Sequence, residues 1–128
     1  MVAGHIPVTK IYEDDVILAF LDIGPLSDGH TLVIPKQHFE KLYDCPAELL
    51  GQVCSRLGKI AGAMAEAMQS DGYNLLCNNG GAAGQLVEHL HFHIIPRKIG
   101  DGVFRRWPSY KYPEGKAEAI AAKIRRNL

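Results

Sequence analysis

The chain has 128 residues, 47% hydrophobic and 22% charged, the balance of one folded domain spanning 1–128, which excludes a largely disordered protein. Fourteen Lys and Arg offset fourteen Asp and Glu, so the cationic field that holds duplex nucleic acid or an anionic membrane is absent. No apolar run nears the ~20 residues of a membrane span, and the first residues lack the basic end and apolar centre of a secretory leader. Three cysteines at spacings without a CxxC (Cys45, Cys54 and Cys77) read as small hydrophobes in a reducing compartment, so a cytoplasmic protein is expected.

Thr9 to Tyr12 and Val16 to Leu21 read as two strands joined by the acidic turn Glu13-Asp14-Asp15, an antiparallel hairpin. A Gly/Pro/Ser/Asp loop, Gly24 to Gly29, leads into a third strand, His30 to Pro35. Pro46 opens the one long helix, with Asp44 or Cys45 as its cap. Leu50, Val53, Leu57, Ile60, Met64 and Met68 draw one apolar stripe at three- and four-residue steps, and Gly72 is expected to end the helix. Tyr73 to Asn78 reads as a strand, Gly80 to Gly84 as a glycine-rich loop, and His89 to Pro96 as the last strand. Lys116 to Arg126 reads as a short helix with Ile120 and Ile124 inward. Strands, long helix, strands and short helix make an α+β domain with a mostly antiparallel sheet.

His89-Leu90-His91-Phe92-His93-Ile94-Ile95 concentrates three of the six histidines in one alternating run. On a strand, alternate side chains share a face, so the three imidazoles line one side while Leu90, Phe92 and Ile94 face the core. Ser, Thr or Lys would serve a merely solvated face better, which points to chemistry. One reading is a zinc site completed by His30 or His38, although no carboxylate or cysteine stands at complementary spacing. The other is phosphoryl chemistry. The loop Gly80-Gly81-Ala82-Ala83-Gly84-Gln85 can turn backbone N–H groups toward an anion, and one neutral imidazole can attack phosphorus while its neighbours handle charge and protons.

The run resembles the signature of the histidine-triad family, three histidines alternating with apolar residues. The likeness extends through Tyr12-Glu13-Asp14-Asp15, Ala19-Phe20-Leu21-Asp22-Ile23, Gly29 to His38, and Asn78 with Gly84-Gln85, roughly from Ile6 to Arg97. The resemblance implies a hydrolase or transferase acting at the α-phosphate of a purine nucleotide. His91 would be the nucleophile of a covalent nucleotidyl intermediate, its other ring nitrogen bonded to the carbonyl of His89. His93 would contact the phosphoryl oxygens or leaving group, and His30 would complete the cluster. Asn78, Gly84 and Gln85 would position the phosphate, Asp22 would accept from the ribose hydroxyls, and Phe20, Ile23 and Ile6 would line the base pocket.

Phosphoramidase and dinucleoside polyphosphate branches both remain open. Leu86 stands where members of those branches carry Ser or Thr, so a hydroxyl role there is absent or filled by another group. Some bacterial members hold zinc with two N-terminal cysteines and histidines matching His38 and His89; those cysteines are missing, so no metal site is expected. No cofactor is implied for the nucleophilic step, and a divalent metal is allowed for polyphosphate substrates. The family implies a homodimer with one extended sheet, to which Asp101, Arg105, Arg106 and Trp107 could add leaving-group contacts. A nucleotide-binding scaffold with incidental catalysis, or a His-ligated zinc hydrolase, are the alternatives.

Overall fold

The computed structural model describes residues 8–104 and 108–128. Ile6, Arg105, Arg106 and Trp107, singled out above, lie outside them. Five strands form one antiparallel sheet in the order β1-β2-β3-β5-β4: β1 Lys10–Glu13, β2 Ile17–Leu21, β3 Thr31–Pro35, β4 Gly72–Leu76 and β5 Phe92–Arg97. The long helix α1, Ala47–Met68, covers one face, and the short helix α2, Lys116–Arg125, follows the sheet. This is the α+β arrangement that the order of elements predicts.

The two sheet faces do different work. Ile17, Ala19, Val33, Phe92 and Ile94 pack against Val53, Leu57, Ile60, Ala61 and Met64 of α1, burying the helical stripe. Leu18, Phe20 and Ile34 form a smaller apolar cluster on the opposite face, with Leu32 beside them. β2 is therefore buried on both sides, which accounts for its unbroken apolar run. In the pairing of β3 with β5, Leu32 stands opposite His93. The triad strand thus runs beside the apolar face that α1 leaves open.

The ends of several elements, and the burial of one helix, differ from the sequence expectation. The last strand begins at Phe92, not His89. Beyond Val33 opposite Phe92 the ladder stops, the Pro35 carbonyl accepts instead from the His89 ring, and the Leu90 N–H bonds to the Phe39 carbonyl at 2.6 Å. Pro46 is the N-cap of α1 and not its first residue, and Asp44 caps something else. Its carboxylate accepts from the Lys41 N–H and closes a short 3-10 turn, Leu42–Asp44. The helix stops at Gln69, which takes the left-handed conformation (φ 49°, ψ 43°), while the Ser70 N–H reaches back to the Ala65 carbonyl at 3.1 Å. Gly72 instead starts β4, paired with Arg97. Finally, α2 does not bury its isoleucines: Ile124 is 59% exposed and no residue of that helix is buried.

Candidate active site

Alternation survives in the triad even though the ladder starts late. Leu90, Phe92 and Ile94 are buried, while His89, His91 and His93 are half-exposed on the opposite side. His91 and His93 have ring centroids 5.0 Å apart, and His30 packs 5.2 Å from His93. His30 arrives from the residue just before β3, whose first pairing sets Thr31 opposite Ile94. Sheet register therefore brings together histidines 63 residues apart.

The protons in this cluster can be placed from donors whose hydrogens are fixed. The Leu26 backbone N–H donates to His30 Nδ1 at 3.1 Å, so that nitrogen carries no proton. The His30 proton then sits on Nε2, which lies 2.9 Å from His93 Nδ1 and donates to it. His93 in turn holds its own proton on Nε2. His91 Nδ1 lies 2.7 Å from the His89 carbonyl, which only accepts, so Nδ1 is protonated and Nε2 of His91 keeps its lone pair. Burial lowers the pKa of His30 against the pull of Asp22, and burial with the neighbouring His91 and His30 lowers that of His93. Both rings are held neutral, as this bond order requires.

His89 serves as scaffold. Its ring nitrogen Nε2 donates to the Pro35 carbonyl at 3.0 Å, and its Nδ1 pairs with His38 Nδ1 at 2.9 Å. With that ring fixed between β3 and the loop after it, the carbonyl that orients His91 is fixed too. His38 thus helps to hold this scaffold.

The glycine-rich segment is stapled in place by Gln85. The Gln85 side-chain oxygen accepts from the Gly80 N–H at 2.7 Å, and its amide nitrogen donates to the Glu40 carbonyl at 2.6 Å. Inside the loop the N–H groups of Ala83, Gly84 and Gln85 bond to the carbonyls of Gly80 and Gly81. These amides are already paired, whereas those of Gly81, Ala82, Leu86 and Val87 have no acceptor among the described residues. Gly84 needs its lack of a side chain for its φ of +94°, and a Cβ there would meet Asn78 Nδ2 at an ordinary contact distance of 3.4 Å. Asn78 thus lies directly against the loop, half-buried.

A cavity of about 320 Å³ opens beside His91, at the lower end of small-molecule sites. Phe20, Leu32, Ile34 and Val87 line it together with His89 and Glu88. Phe20 therefore lines the cavity that His91 faces. Leu32 and Ile34 were missed, although their alternation with the buried Val33 places them on the Phe20 face. Ile23 is 92% exposed and does not line this cavity. Asp22 Oδ1 accepts from the Gly24 N–H at 2.9 Å, a turn contact, while Oδ2 lies 3.5 Å from His30 Nε2. Leu86 is 92% exposed at the end of the loop.

Two groupings bear on metal binding. Asp22, His30 and His93 offer ligand atoms within 4.8 Å of one another. An ion on His30 Nε2 would drive the ring proton to Nδ1, where it would face the Leu26 N–H, donor against donor. A metal-bound imidazole needs an acceptor on its other nitrogen, so this donor set does not fit an ion. His38 and His89 supply two imidazoles, but no cysteine or carboxylate joins them in a ligand group among the described residues.

Comparison with known proteins agrees with this geometry. A profile of the HIT domain family matches residues 3–100. An adenylylsulfatase of Arabidopsis thaliana, HINT3, is 48% identical over 132 residues, covering 100% of this chain, which spans 66% of that relative's length. An adenosine 5'-monophosphoramidase of Schizosaccharomyces pombe, hnt1, is 41% identical, with 97% of this chain and 91% of the relative covered. A crystal structure of a HIT family member from Bacillus subtilis superposes with a TM-score of 0.91 at 42% identity, covering 99% of this chain and 92% of the other. With the family profile matched over residues 3–100 and a relative and a solved structure matched along nearly the whole chain, this protein belongs to the HIT domain family.

Proposed function

We propose that this protein hydrolyses or transfers a nucleotidyl group at the α-phosphate of a purine nucleotide, through a covalent intermediate on His91. The observation that carries the reading is the 2.7 Å bond from His91 Nδ1–H to the His89 carbonyl, which leaves the His91 Nε2 lone pair available. In the first step that lone pair forms an N–P bond as the bond from phosphorus to the leaving group breaks. The leaving group takes the electron pair and a proton from solvent. His93 Nε2–H, held in place by His30, hydrogen-bonds the phosphoryl oxygens or the leaving group without giving up its own proton. Water then attacks phosphorus and loses a proton to solvent, the N–P bond breaks with its electron pair returning to Nε2, and His91 is restored as the nucleotide departs.

The rest of the site suits this substrate. Apolar walls at Phe20 and Leu32 offer a surface for a base. Asp22 Oδ2 would accept from the ribose, Asn78 and the loop at Gly84 and Gln85 would hold the phosphate, and the amides of Leu86 and Val87 are its donors. The monophosphoramidase and adenylylsulfatase relatives favour adenylates with a small leaving group over dinucleoside polyphosphates. The nucleophilic step needs no cofactor; a divalent ion would come with a polyphosphate substrate. Three free cysteines suit a cytoplasmic setting, and no helix among the described residues is long and apolar enough to cross a membrane. A homodimer would continue the sheet through β4, the edge strand on which Tyr73 and Leu75 are half exposed.

The test is incubation with adenosine 5'-phosphoramidate, adenylyl sulfate and, separately, diadenosine tetraphosphate, with neutral-pH mass spectrometry of the protein. An AMP-sized adduct that is lost in His91→Ala supports the covalent route, and the fastest substrate names the branch. AMP binding with neither turnover nor adduct would sink it and leave a nucleotide-binding scaffold.

A further inference from the structure

The loop of residues 23–29, which delivers His30 to the site, bonds almost wholly to its own flanks. The Gly24 N–H donates to Asp22 Oδ1 at 2.9 Å, and the Leu26 N–H to His30 Nδ1 at 3.1 Å. The Ser27 carbonyl accepts from the His30 N–H at 3.1 Å, and the Gly29 carbonyl from the Thr31 hydroxyl at 2.8 Å. Among the described residues one hydrogen bond reaches farther: Ser27 Oγ donates to the Pro96 carbonyl of β5 at 2.7 Å. Pro96 is buried and lies two residues past Ile94, where the pairing of β5 with β3 ends against Thr31. The hydroxyl therefore takes up a carbonyl just beyond the end of that ladder. Gly29 seats the same loop on α1 and β5: its φ is +92°, and a Cβ there would stand 2.7 Å from Met68 Cγ and 3.2 Å from Pro96 Cγ.

What this loop holds is the Leu26 amide. A hydrogen bond between two neutral imidazoles can run in either direction. With the proton on His30 Nε2, His93 Nδ1 accepts and His93 Nε2–H is free to donate. In the reverse order His93 Nδ1–H donates to His30 Nε2, and His93 Nε2 offers a lone pair that repels phosphoryl oxygens. The Leu26 N–H on His30 Nδ1 selects the first order, because two donors cannot face each other. Asp22 Oδ2, 3.5 Å from His30 Nε2, is too distant to fix it alone. The Leu26 side chain is half exposed, so its packing does not hold the amide in place. The anchor is its neighbour.

We infer that Ser27 is a positioning residue: its hydroxyl, anchored on the Pro96 carbonyl, keeps the Leu26 amide on His30 and thereby sets which ring nitrogen of His93 carries the proton. β5 supplies both the ring that is set and, three residues on, the carbonyl that holds the setting loop. The catalytic consequence rests on the reading in which His93 Nε2–H bonds the reacting phosphate; the choice of tautomer does not.

The full chain, with nitrogen-labelled histidine, is compared with Ser27→Ala and Ser27→Thr by ring-nitrogen NMR at about pH 8, where imidazoles are neutral. In the native protein Nε2 of His30 and of His93 should be protonated and both Nδ1 atoms bare. In Ser27→Ala both rings should shift to a mixture of tautomers, while His91 keeps its Nδ1 proton because its partner is the His89 carbonyl. Turnover of adenosine 5'-phosphoramidate should lose about tenfold in kcat with KM little changed, less than outright removal of a donor costs. Ser27→Thr, which keeps the hydroxyl, should restore the tautomers and the rate. Native tautomers in Ser27→Ala, a raised KM at unchanged kcat, or a Ser27→Thr protein that behaves like Ser27→Ala would each overturn the inference. Mixed tautomers in Ser27→Ala of a protein that never turns over the phosphoramidate would uphold the role of Ser27 and sink only the proposed function.

Discussion

Asp14 shows how much one side chain can organise. Its Oδ1 accepts from the N–H groups of Val16 and Ile17 at 2.8 and 2.9 Å, and its Oδ2 accepts from the Tyr12 hydroxyl and from Arg56 of α1. Burial pushes the carboxyl up, but the Arg56 guanidinium and the two amides outweigh it and hold it well below the usual carboxylate range. The β1–β2 turn and the long helix are thus locked by one group. Asp14→Ala leaves two amides and a guanidinium without their acceptor, and should cost about 1–3 kcal/mol in urea unfolding. Sequence reading found only an acidic turn here, because Arg56 is 42 residues away and nothing local announces it. In the site, the same limit hid the Leu26 amide that sets the His30 tautomer.

At the scale of elements, patterns were legible and their ends were not. The strand alternation around the triad and the stripe of α1 are burial patterns, and burial is what periodicity records. Boundaries depend on particular hydrogen bonds. Gln69 ends α1 in a left-handed conformation that costs an L-residue with a side chain roughly 1–2 kcal/mol and glycine almost nothing. Gln69→Gly should therefore raise stability by about 0.5–1 kcal/mol, after glycine's extra unfolded-chain entropy, as read by calorimetry. The glycine loop offers the opposite case. Gln85 is 9% exposed and joins Gly80 to Glu40, so Gln85→Leu should cost about 1–3 kcal/mol by leaving both backbone groups unpaired. Its amides at Gly80 should lose hydrogen-exchange protection in the same variant.

For the whole molecule, pH dependence follows from the buried histidines. His30, His89 and His93 all have pKa values lowered from 6.5, chiefly by burial. A depressed folded-state value means the unfolded chain binds protons first as pH falls. The stabilisation is complete above about pH 7 and is lost as pH drops through 6.5 toward the folded-state values. Glu13, lowered to about 2 by hydrogen bonds from Lys10 and Lys36, keeps its stabilisation throughout this interval and loses it only as pH falls from about 4.5 toward 2. The thermal midpoint should therefore fall between pH 7 and pH 5, and a His30→Gln variant should lose part of that slope. A flat profile over this interval would contradict neutral, bonded imidazoles in the fold.

The sequence by itself determined the α+β class, the apolar stripe of α1, and the alternation that sets the three triad histidines on one side and Leu90, Phe92 and Ile94 on the other. Each of these follows from side-chain periodicity or from the order of elements. Tertiary structure decided which nitrogen of His30, His91 and His93 carries the proton, which loop amides are already paired, and that no residue of α2 is buried. These depend on partners brought together from distant parts of the chain, such as Leu26 with His30, Gln85 with Glu40, and His30 with His93. A hydrogen bond across 45 or 63 residues leaves no trace in local spacing, because it is set by sheet register and loop closure rather than by the residues' neighbours.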